Sequence, residues 1–579
     1  MLAHFYRRML LYKRTHSTTI QISKKSMKKY FLLLTLLVVT LSSVAQNQGN
    51  ENRTFDITKN LDIFNSILRE LDMFYVDSLN YNDLVQAGIA EMLDKLDPYT
   101  EYIPEEMDDD IKMMTTGEYA GIGATIMQVN KDIVISEPYE GFPAQRNDLR
   151  AGDVILEVDG VSTQGKNTAQ VSAMLKGTNG TTIIVKVRRP GETKPIIKKF
   201  LRENLQFNSV PYSTVMQHNT GYIMIKDFTD KTATEVKATV SEMVKNKQIK
   251  SLIIDIRDNG GGIIDEAVKI VGYFTPKGTE VVSTKGKNSD VDRMYKTPTE
   301  PLFPDIKLAL LVNRGSASAS EILCGSVQDL DRGIVIGERT FGKGLVQNIR
   351  PVGYGGHLKV TIAKYYIPSG RCIQALDYSH RNEDGSVGRV PDSLITKFQT
   401  KNGRIVRDGG GILPDTITTD SRKLNIAYYI YAQNLYFDYA TRYAQNHSTI
   451  ASPQNFKLTD TEYNDFTDYL LKEKKFTYTS QTQKYYDQLF DMSKYEGLDK
   501  TAADEFAKLK AKLAPSVAEN IKEYRSDIEE MLALEIIKRY YFQKGQIQYT
   551  LKDDKEVKIA IDLLNDDAKY TQILSGKKN

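Results

Sequence analysis

Cysteine is almost absent from this sequence, and histidine is scarce. The chain of 579 residues contains two cysteines, Cys324 and Cys372, which excludes a disulfide scaffold and a cysteine-rich zinc site. Isolated cysteines are usually small buried apolar residues, and the sequence leaves open whether these two pair in an oxidising compartment. No cluster of His, Asp and Glu has metal-ligand spacing, so we expect no metal site.

The composition also lacks the biases of fibrous, disordered or polytopic membrane proteins. Hydrophobic residues make up 41% of the chain and charged residues 26%, close to globular averages. The net charge is +3, but residues 1–45 hold eight Lys and Arg and no Asp or Glu. Because the basicity is confined to this segment, we expect no nucleic-acid partner. The length predicts two to four domains.

Residues 1–45 have the features of an export signal with an extended N-terminus. Lys28 and Lys29 precede an uncharged apolar run over residues 31–44, and small residues lead to Ala45. The run is short for a membrane-spanning helix, which needs about 20 apolar residues. We therefore expect cleavage after Ala45 and a location in the periplasm or cell envelope, with an uncleaved membrane anchor as the alternative.

Hydrophobic periodicity divides the rest of the chain into four regions. The patterns are apolar residues at helical spacing, short strands between Gly-rich turns, continuous apolar runs alternating with helical stretches, and a Tyr-rich charged helical segment. The third pattern is typical of an α/β layered core. We predict a helical region at 46–113, a strand-rich module at 114–204, an α/β core at 205–420 and a helical C-terminal domain at 421–579.

The first stretch with catalytic potential follows the apolar run 308–312. It reads Asn313-Arg314-Gly315-Ser316-Ala317-Ser318-Ala319-Ser320-Glu321 and enters an apolar helical segment. A serine in such a turn lies at a helix N-terminus, where free N–H groups favour a developing negative charge. Three serines compete for this role, and Ser/Ala runs before helices are also common N-caps.

The second stretch follows the apolar run 334–336 and reads Gly337-Glu338-Arg339-Thr340-Phe341-Gly342-Lys343-Gly344-Leu345-Val346-Gln347. It nearly matches the phosphate-binding loop, but Gly344 stands where that loop has a Mg²⁺-ligating Ser or Thr, so we expect no nucleotide. A lysine buried in an apolar site has a lowered pKa and can accept a proton from a serine. The alternative is a solvated surface lysine.

The third stretch, Asp255-Ile256-Arg257-Asp258-Asn259-Gly260-Gly261-Gly262, runs from a strand into glycines. Glycine N–H groups there can form one arm of an oxyanion hole and the N–H of Ala319 the other. A glycine run also simply makes turns. A serine–histidine triad is disfavoured, because none of the histidines after residue 45 lies in a recognisable catalytic setting; these are His218, His357, His380 and His447.

Together these motifs resemble the carboxyl-terminal processing peptidases, or tail-specific proteases, of the serine–lysine type. Further ordered matches extend the resemblance over about residues 60–425. They are Leu96-Asp97-Pro98-Tyr99-Thr100, Gly117-Glu118-Tyr119-Ala120-Gly121-Ile122-Gly123, Tyr365-Tyr366-Ile367-Pro368-Ser369-Gly370-Arg371 and Asp408-Gly409-Gly410-Gly411-Ile412-Leu413-Pro414-Asp415.

The resemblance implies a multidomain α/β protein, with a crotonase/Clp-protease-like core, an inserted PDZ domain and helical N- and C-terminal regions. It makes Ser318 the nucleophile, Lys343 the general base and Gln347 the residue that orients the lysine. Gly261 and Ala319 become the oxyanion donors. No metal, nucleotide or other cofactor is implied.

The implied PDZ domain would bind a protein or peptide substrate with a free C-terminus. Its carboxylate-binding N–H groups would lie around Ile122, Gly123 and Ala124, and Arg150 is a candidate regulatory residue that is otherwise an exposed turn arginine. A homodimer through the helical terminal regions is also expected. The competing functions are a non-catalytic PDZ scaffold that binds C-terminal tails and a small-ester hydrolase.

Overall fold

The computed structural model describes residues 53–382, 384–419, 424–514 and 516–576. The predicted export signal at 1–45 lies outside these residues. The chain forms two compact units, one up to Ile89 and one from Ala90 onward. In the described ranges, no helix has the length and apolarity needed to cross a membrane.

The first unit is helical, as its periodicity predicts. Helix α1 covers residues 53–74, and α2, Tyr81–Asp94, begins in this unit. The Tyr81 hydroxyl donates to Asp72 Oδ1 at 2.8 Å, joining the two helices. The predicted helical region does not remain helical to residue 113, because Glu101–Ile103 forms strand β1 before a 3-10 turn at Glu105–Met107 and helix α3 at Asp108–Thr116.

The strand-rich module follows α3. Its main sheet has the order β3-β4-β5-β7-β8, with β6 beside β5, and β2 pairs with β9. Asp159 and Gly160 both have positive φ, 51° and 80°, and form the tight hairpin turn that their sequence predicts. The elements are β2 (Glu118–Gly121), β3 (Ala124–Val129), β4 (Asp132–Pro138), α4 (Pro143–Arg146), β5 (Val154–Val158), β6 (Val161–Ser162), α5 (Thr168–Leu175), β7 (Thr182–Arg188), β8 (Ile196–Leu201) and β9 (Glu203–Gln206).

The α/β core contains a six-stranded sheet of order β10-β11-β12-β15-β16-β23, parallel except for β10. A second sheet, β1-β18-β13-β14 with β17 beside β18, was not anticipated from the sequence. The elements are β10 (Tyr212–Met216), β11 (Thr220–Met224), α6 (Thr232–Lys247), β12 (Ser251–Asp255), α7 (Ile264–Gly272), β13 (Glu280–Gly286), β14 (Arg293–Lys296), β15 (Lys307–Val312), α8 (Ala319–Asp329), β16 (Ile334–Gly337), β17 (Leu345–Gly353), β18 (Gly356–Tyr366), β19 (Leu376–Arg381), β20 (Val387–Arg389), β21 (Lys397–Gln399), β22 (Ile405–Arg407) and β23 (Thr416–Ile417).

The C-terminal region is helical and includes a π-helical turn at Tyr469–Glu473. Its helices are α9 (Ile426–Ala432), α10 (Leu435–Asn446), α11 (Asp460–Asp468), α12 (Gln481–Glu496), α13 (Leu498–Thr501), α14 (Ala503–Leu513), α15 (Val517–Glu523), α16 (Arg525–Leu551), α17 (Lys555–Asn565) and α18 (Asp567–Ser575). Helix α16 is broken at Phe542, where φ is 54° and ψ is −159°.

Both faces of the six-stranded sheet are covered. Alternate strand residues such as Ile254 and Leu310 pack with α6, α7 and α8 on one face. On the other face, Ile253 and Leu311 pack with residues of α17 and α18. The end of the C-terminal region is therefore a layer of the core, whereas the sequence pattern predicts a boundary between the two regions at residue 420. Periodicity cannot reveal this, because it shows that a helix has an apolar face but not which sheet that face covers.

Candidate active site

The predicted nucleophile lies at a strained turn between β15 and α8. Ser318 is the residue before the first turn of α8 and has φ 55° and ψ −115°. A non-glycine residue in this conformation costs about 1–3 kcal/mol, and such strain is concentrated at functional sites. Because the helix begins at Ala319, the N–H of that residue lies beside the serine at the helix N-terminus, where a developing negative charge is favoured.

Hydrogen bonding distinguishes the three competing serines. The Ser316 hydroxyl donates to the Ile256 carbonyl at 2.8 Å, and the Ser320 hydroxyl donates to the Asn259 carbonyl at 2.9 Å. Both side chains are fully buried and hold the turn against the loop after β12. Ser318, by contrast, lines an open cleft of about 880 Å³. The flanking serines therefore have structural roles that leave Ser318 as the accessible hydroxyl.

The predicted base lines the same cleft. Lys343 lies in the turn between β16 and β17, and burial, aided by the nearby cation of Lys359, lowers its pKa to about 8. Its Nζ lies 4.2 Å from the centre of the Tyr99 ring. Burial also raises the pKa of Tyr99, which keeps the phenol neutral. The lysine is thus held in a setting where its uncharged form is accessible near neutral pH.

Glu321 joins the serine and lysine turns, a role that was not predicted from the sequence. Its fully buried carboxylate accepts hydrogen bonds from the N–H groups of Ser318, Gly342 and Lys343 at 2.7–2.9 Å. The Thr340 hydroxyl donates to the same carboxylate at 2.6 Å. Burial raises the pKa of Glu321 to about 7, although all four donors favour the charged form.

The same contacts argue against a phosphate-binding loop. The N–H groups of Gly342 and Lys343 are satisfied by Glu321, and that of Gly344 donates to Gln374 Oε1 at 2.7 Å. A phosphate cradle needs such N–H groups to point at the ligand. In this turn they point at protein acceptors.

The structure places Gln347 on β17, lining the cleft. Its Nε2 donates to Thr361 Oγ1 at 3.0 Å. Within the described part of the chain, no hydrogen bond joins Gln347 to Lys343, so its orienting role stays a prediction.

The two N–H groups that the sequence predicts as oxyanion donors lie in different surroundings. The N–H of Ala319 is at the helix start, next to Ser318. The N–H of Gly261, however, donates to Asn259 Oδ1 at 2.8 Å. Which of the glycines at 260–262 would donate to an oxyanion therefore stays open.

Substituting Gly261 should damage activity severely. A Cβ at this position would lie 2.7 Å from Ser318 Cβ and 2.8 Å from the Ala319 nitrogen, and φ is +98°. We expect Gly261→Ala to lower kcat roughly 100-fold, since displacing reacting groups by about 1 Å has effects of that size. Gly260→Ala is the matched control, because nothing lies within 4 Å of its Cβ position. Equal kcat values for the two variants, measured on a peptide substrate, would contradict this prediction.

The strand-rich module meets the cleft through aromatic side chains. Phe207 and Gly117 line the cleft, and the Phe207 ring lies 4.9–5.9 Å from the rings of Tyr119, Tyr139 and Phe142. Any Cβ at Gly123 would lie 2.4 Å from Phe142 Cβ. The predicted tail-binding loop and the cleft therefore touch the same aromatic cluster.

In the loop at 122–124, the backbone carbonyls of Ile122 and Gly123 accept hydrogen bonds from other residues of the strand-rich module. The Ile122 carbonyl accepts from the Ala144 N–H at 2.8 Å, and that of Gly123 accepts from the Tyr139 N–H at 2.9 Å. Ala124 begins β3, an edge strand of the module's main sheet.

The Arg150 side chain is mostly exposed and pairs with Asp148 at 2.6 Å within the module. It lines a second cavity of about 680 Å³, which is bordered by α10 and α16. It is not among the residues that line the catalytic cleft.

The two cysteines are not joined. Cys324 is buried in α8 and Cys372 is partly buried, and both are free thiols. They therefore fit the description of small packed residues that isolated cysteines usually have.

Comparison with known proteins identifies the domains. Residues 219–378 match peptidase family S41, residues 134–189 match a PDZ domain, and residues 426–564 match the C-terminal helical domain of a probable PDZ-protease. The predicted multidomain α/β fold with a PDZ domain is thereby confirmed.

Two bacterial proteases are similar to this chain in sequence. The chain is 33% identical over 343 residues to the carboxy-terminal-processing protease of Bartonella bacilliformis, covering 59% of this chain and 77% of that one. It is also 33% identical over 346 residues to a probable CtpA-like serine protease of Staphylococcus aureus, covering 59% of this chain and 68% of the other. The photosystem II D1 C-terminal processing protease is 27% identical, covering 61% of this chain and 86% of that one, with a TM-score of 0.33. The sequence relatives and the domain matches agree, and the chain belongs to the carboxy-terminal-processing proteases of peptidase family S41.

Proposed function

We propose that this serine-type peptidase cleaves peptide bonds with a dyad of Ser318 and Lys343 through an acyl-enzyme. The observation that carries the proposal is that both side chains line one cleft, with the lysine pKa lowered to about 8 by burial. A solvated surface lysine would keep a pKa near its ordinary value.

In this mechanism, the neutral amine of Lys343 takes the proton from the Ser318 hydroxyl as Oγ attacks the scissile carbonyl carbon. The carbonyl oxygen becomes an oxyanion, which the Ala319 N–H and a glycine N–H from 260–262 stabilise. When the C–N bond breaks, the Lys343 ammonium returns the proton to the leaving amine. Water, deprotonated by the same lysine, then attacks the ester carbonyl, and the Lys343 ammonium returns this proton to Ser318 Oγ as the ester C–O bond breaks.

We further propose that the PDZ domain selects substrates by their C-termini. Strand β3 is an edge strand and lies beside α5, which favours addition of an extended tail as a further strand. Among the described residues, the N–H groups of Ile122 and Gly123 donate to no protein acceptor. They are therefore suited to hold a terminal carboxylate.

Amidation of a substrate's C-terminus should weaken its recognition. It removes the charge that accepts these hydrogen bonds, each worth roughly 1.5–3 kcal/mol, so we expect the loss of one such bond to lower the apparent affinity about 10–150-fold. Cleavage of paired peptides that differ only in the terminal group measures this effect. Deleting residues 117–202 should abolish the difference in cleavage between the free and the amidated peptide. Equal cleavage of both peptides by the intact enzyme would contradict recognition of the C-terminal carboxylate.

We propose that a second copy of the chain covers the apolar face of α1. A groove of about 810 Å³ runs along this helix, and the side chains of Phe55 and Phe74 are 66% and 74% exposed. Exposed apolar surface of this kind typically marks a protein interface.

The dimer proposal predicts a change in mass when the groove is made charged. Ile67→Glu with Phe74→Glu should convert a dimer to a monomer in size-exclusion chromatography with light scattering. Asn60→Glu with Asn65→Glu is the matched control, since these helix residues lie outside the groove lining. A monomeric unmodified protein would contradict the proposal.

We also propose that the protein acts in the periplasm or cell envelope. The charged, apolar and small-residue pattern of residues 28–45 supports export.

A further inference from the structure

The loop after β12 is bonded to the nucleophile turn on one side. The carbonyl of Asn259 accepts from the Ala317 N–H at 3.0 Å and from the Ser320 hydroxyl at 2.9 Å. The Ile256 carbonyl accepts from the Ser316 hydroxyl at 2.8 Å. A shift of this loop would therefore move the backbone on both sides of Ser318.

The other side of the loop is held by the C-terminal region. The Arg257 guanidinium lies 2.6 Å from Asp255, 2.8 Å from Asp554 and 2.7 Å from Glu556. The side chains of Arg257, Asp554 and Glu556 are all less than one fifth exposed. The two distant carboxylates follow Arg257 by about 300 residues, so they are contributed by a separate region of the chain.

Both distant carboxylates are themselves fixed. Asp554 caps α17, accepting from the N–H groups of Glu556 and Val557 at 2.9 and 3.0 Å. The Thr418 hydroxyl donates to Glu556 at 2.5 Å. Helix α17 also packs on the face of the sheet that contains Ile253 of β12. The carboxylates therefore have defined positions relative to the strand that precedes the loop.

The charges around Arg257 do not favour the explanation that Asp554 and Glu556 serve only to stabilise the fold. Asp255, already paired with Arg257, also accepts the hydroxyl of buried Tyr222 at 2.7 Å, so the arginine has a partner without the C-terminal region. Two further carboxylates make the cluster net negative, and a buried ion pair is by itself weak evidence of a role in stability. Asp554 and Glu556 instead restrict the position of the Arg257 guanidinium by contacts from the C-terminal region.

We propose that Arg257 is a positioning residue for the loop at 257–262, and that Asp554 and Glu556 hold it in place, so that the C-terminal helical domain completes the protease site. The proposal rests on the serine–lysine mechanism proposed above. It gives the C-terminal domain a function in catalysis, acting through the loop backbone without touching the substrate.

The test neutralises the two carboxylates in the full-length enzyme. Asp554→Asn with Glu556→Gln preserves side-chain size, and asparagine is as good a helix cap as aspartate. We expect kcat for peptide cleavage to fall roughly 10–100-fold, with KM changed less than about twofold, because the loop bears on the transition state rather than on tail binding.

The matched control is Asp553→Asn with Asp562→Asn, which removes two charges from the same segment. Asp553 pairs with Lys558 at the surface, and Asp562 is exposed. We expect this variant to keep the kcat of the unmodified enzyme. Thermal unfolding of each variant shows whether the protein is folded at the assay temperature.

A double-mutant cycle separates positioning from a general structural effect. Arg257→Lys keeps the charge but loses the planar multidentate contact, so it should also lower kcat. Added to the Asn/Gln variant, it should lower kcat by less than twofold more, because both changes act through one side chain. Additive losses, or a lowered melting temperature with unchanged kcat, would overturn the proposal. Ser318→Ala, assayed in parallel, must be inactive; if it cleaves, the failure lies in the proposed mechanism instead.

Discussion

Ser318→Ala should lower peptide cleavage by roughly 10⁶-fold, the size of effect seen when a serine protease loses its nucleophile. The reason is that the hydroxyl oxygen is the atom that would form the covalent bond to the substrate, and no neighbouring group can replace it. The other two serines of the turn are committed to backbone carbonyls of the loop after β12. Steady-state kinetics with a peptide that has a free C-terminus measures the effect.

The flanking serines provide matched controls. Ser316→Ala or Ser320→Ala removes one buried hydrogen bond, which should lower the free energy of unfolding by about 1–3 kcal/mol. Each should lower activity far less than Ser318→Ala does, since the Ser318 hydroxyl is retained. Full activity in the Ser318 variant, or loss in all three variants alike, would contradict the assignment of the nucleophile.

The second large effect concerns Lys343 and pH. The proposed base is the neutral amine, and the lysine pKa is lowered to about 8. Below pH 8, kcat/KM should therefore rise about tenfold per pH unit and level off above it. Glu321, with a pKa raised to about 7, should make the slope steeper below pH 7, because protonation removes an acceptor shared by the serine and lysine turns.

Two substitutions test this account of the pH profile. Lys343→Ala should be about as damaging as Ser318→Ala, and the combined variant should be hardly worse than either, because the two groups act as a unit. Lys359→Met removes a cation that helps to lower the Lys343 pKa, so the rising limb should move to higher pH. A profile that is flat between pH 6 and 9, or one that moves to lower pH in the Lys359 variant, would contradict the role of Lys343.

Local pattern was sufficient to predict the elements that present the nucleophile. The apolar runs at 253–256, 308–312 and 334–336 are strands β12, β15 and β16 within one or two residues, and α8 begins directly after Ser318. These features follow from hydrophobic runs and small-residue turns, which act over a few residues.

Contacts between distant segments could not be predicted in this way. Tyr99 reaches Lys343 from a segment more than 240 residues earlier, and Asp554 reaches Arg257 from one nearly 300 residues later. Glu321 had a local signal, since it stands three residues after the helix-capping position, but its bonds to Gly342 and Lys343 depend on how two loops meet. Periodicity contains no information on such pairings.

The most direct test of the mechanism is mass spectrometry of the enzyme after a rapidly quenched reaction with a peptide substrate. Our account predicts a fraction of enzyme whose mass is increased by the acyl half of the substrate, with the addition on Ser318 and none in the Ser318→Ala variant. An acyl group on any other residue, or cleavage by the Ser318→Ala variant at the rate of the unmodified enzyme, would contradict it.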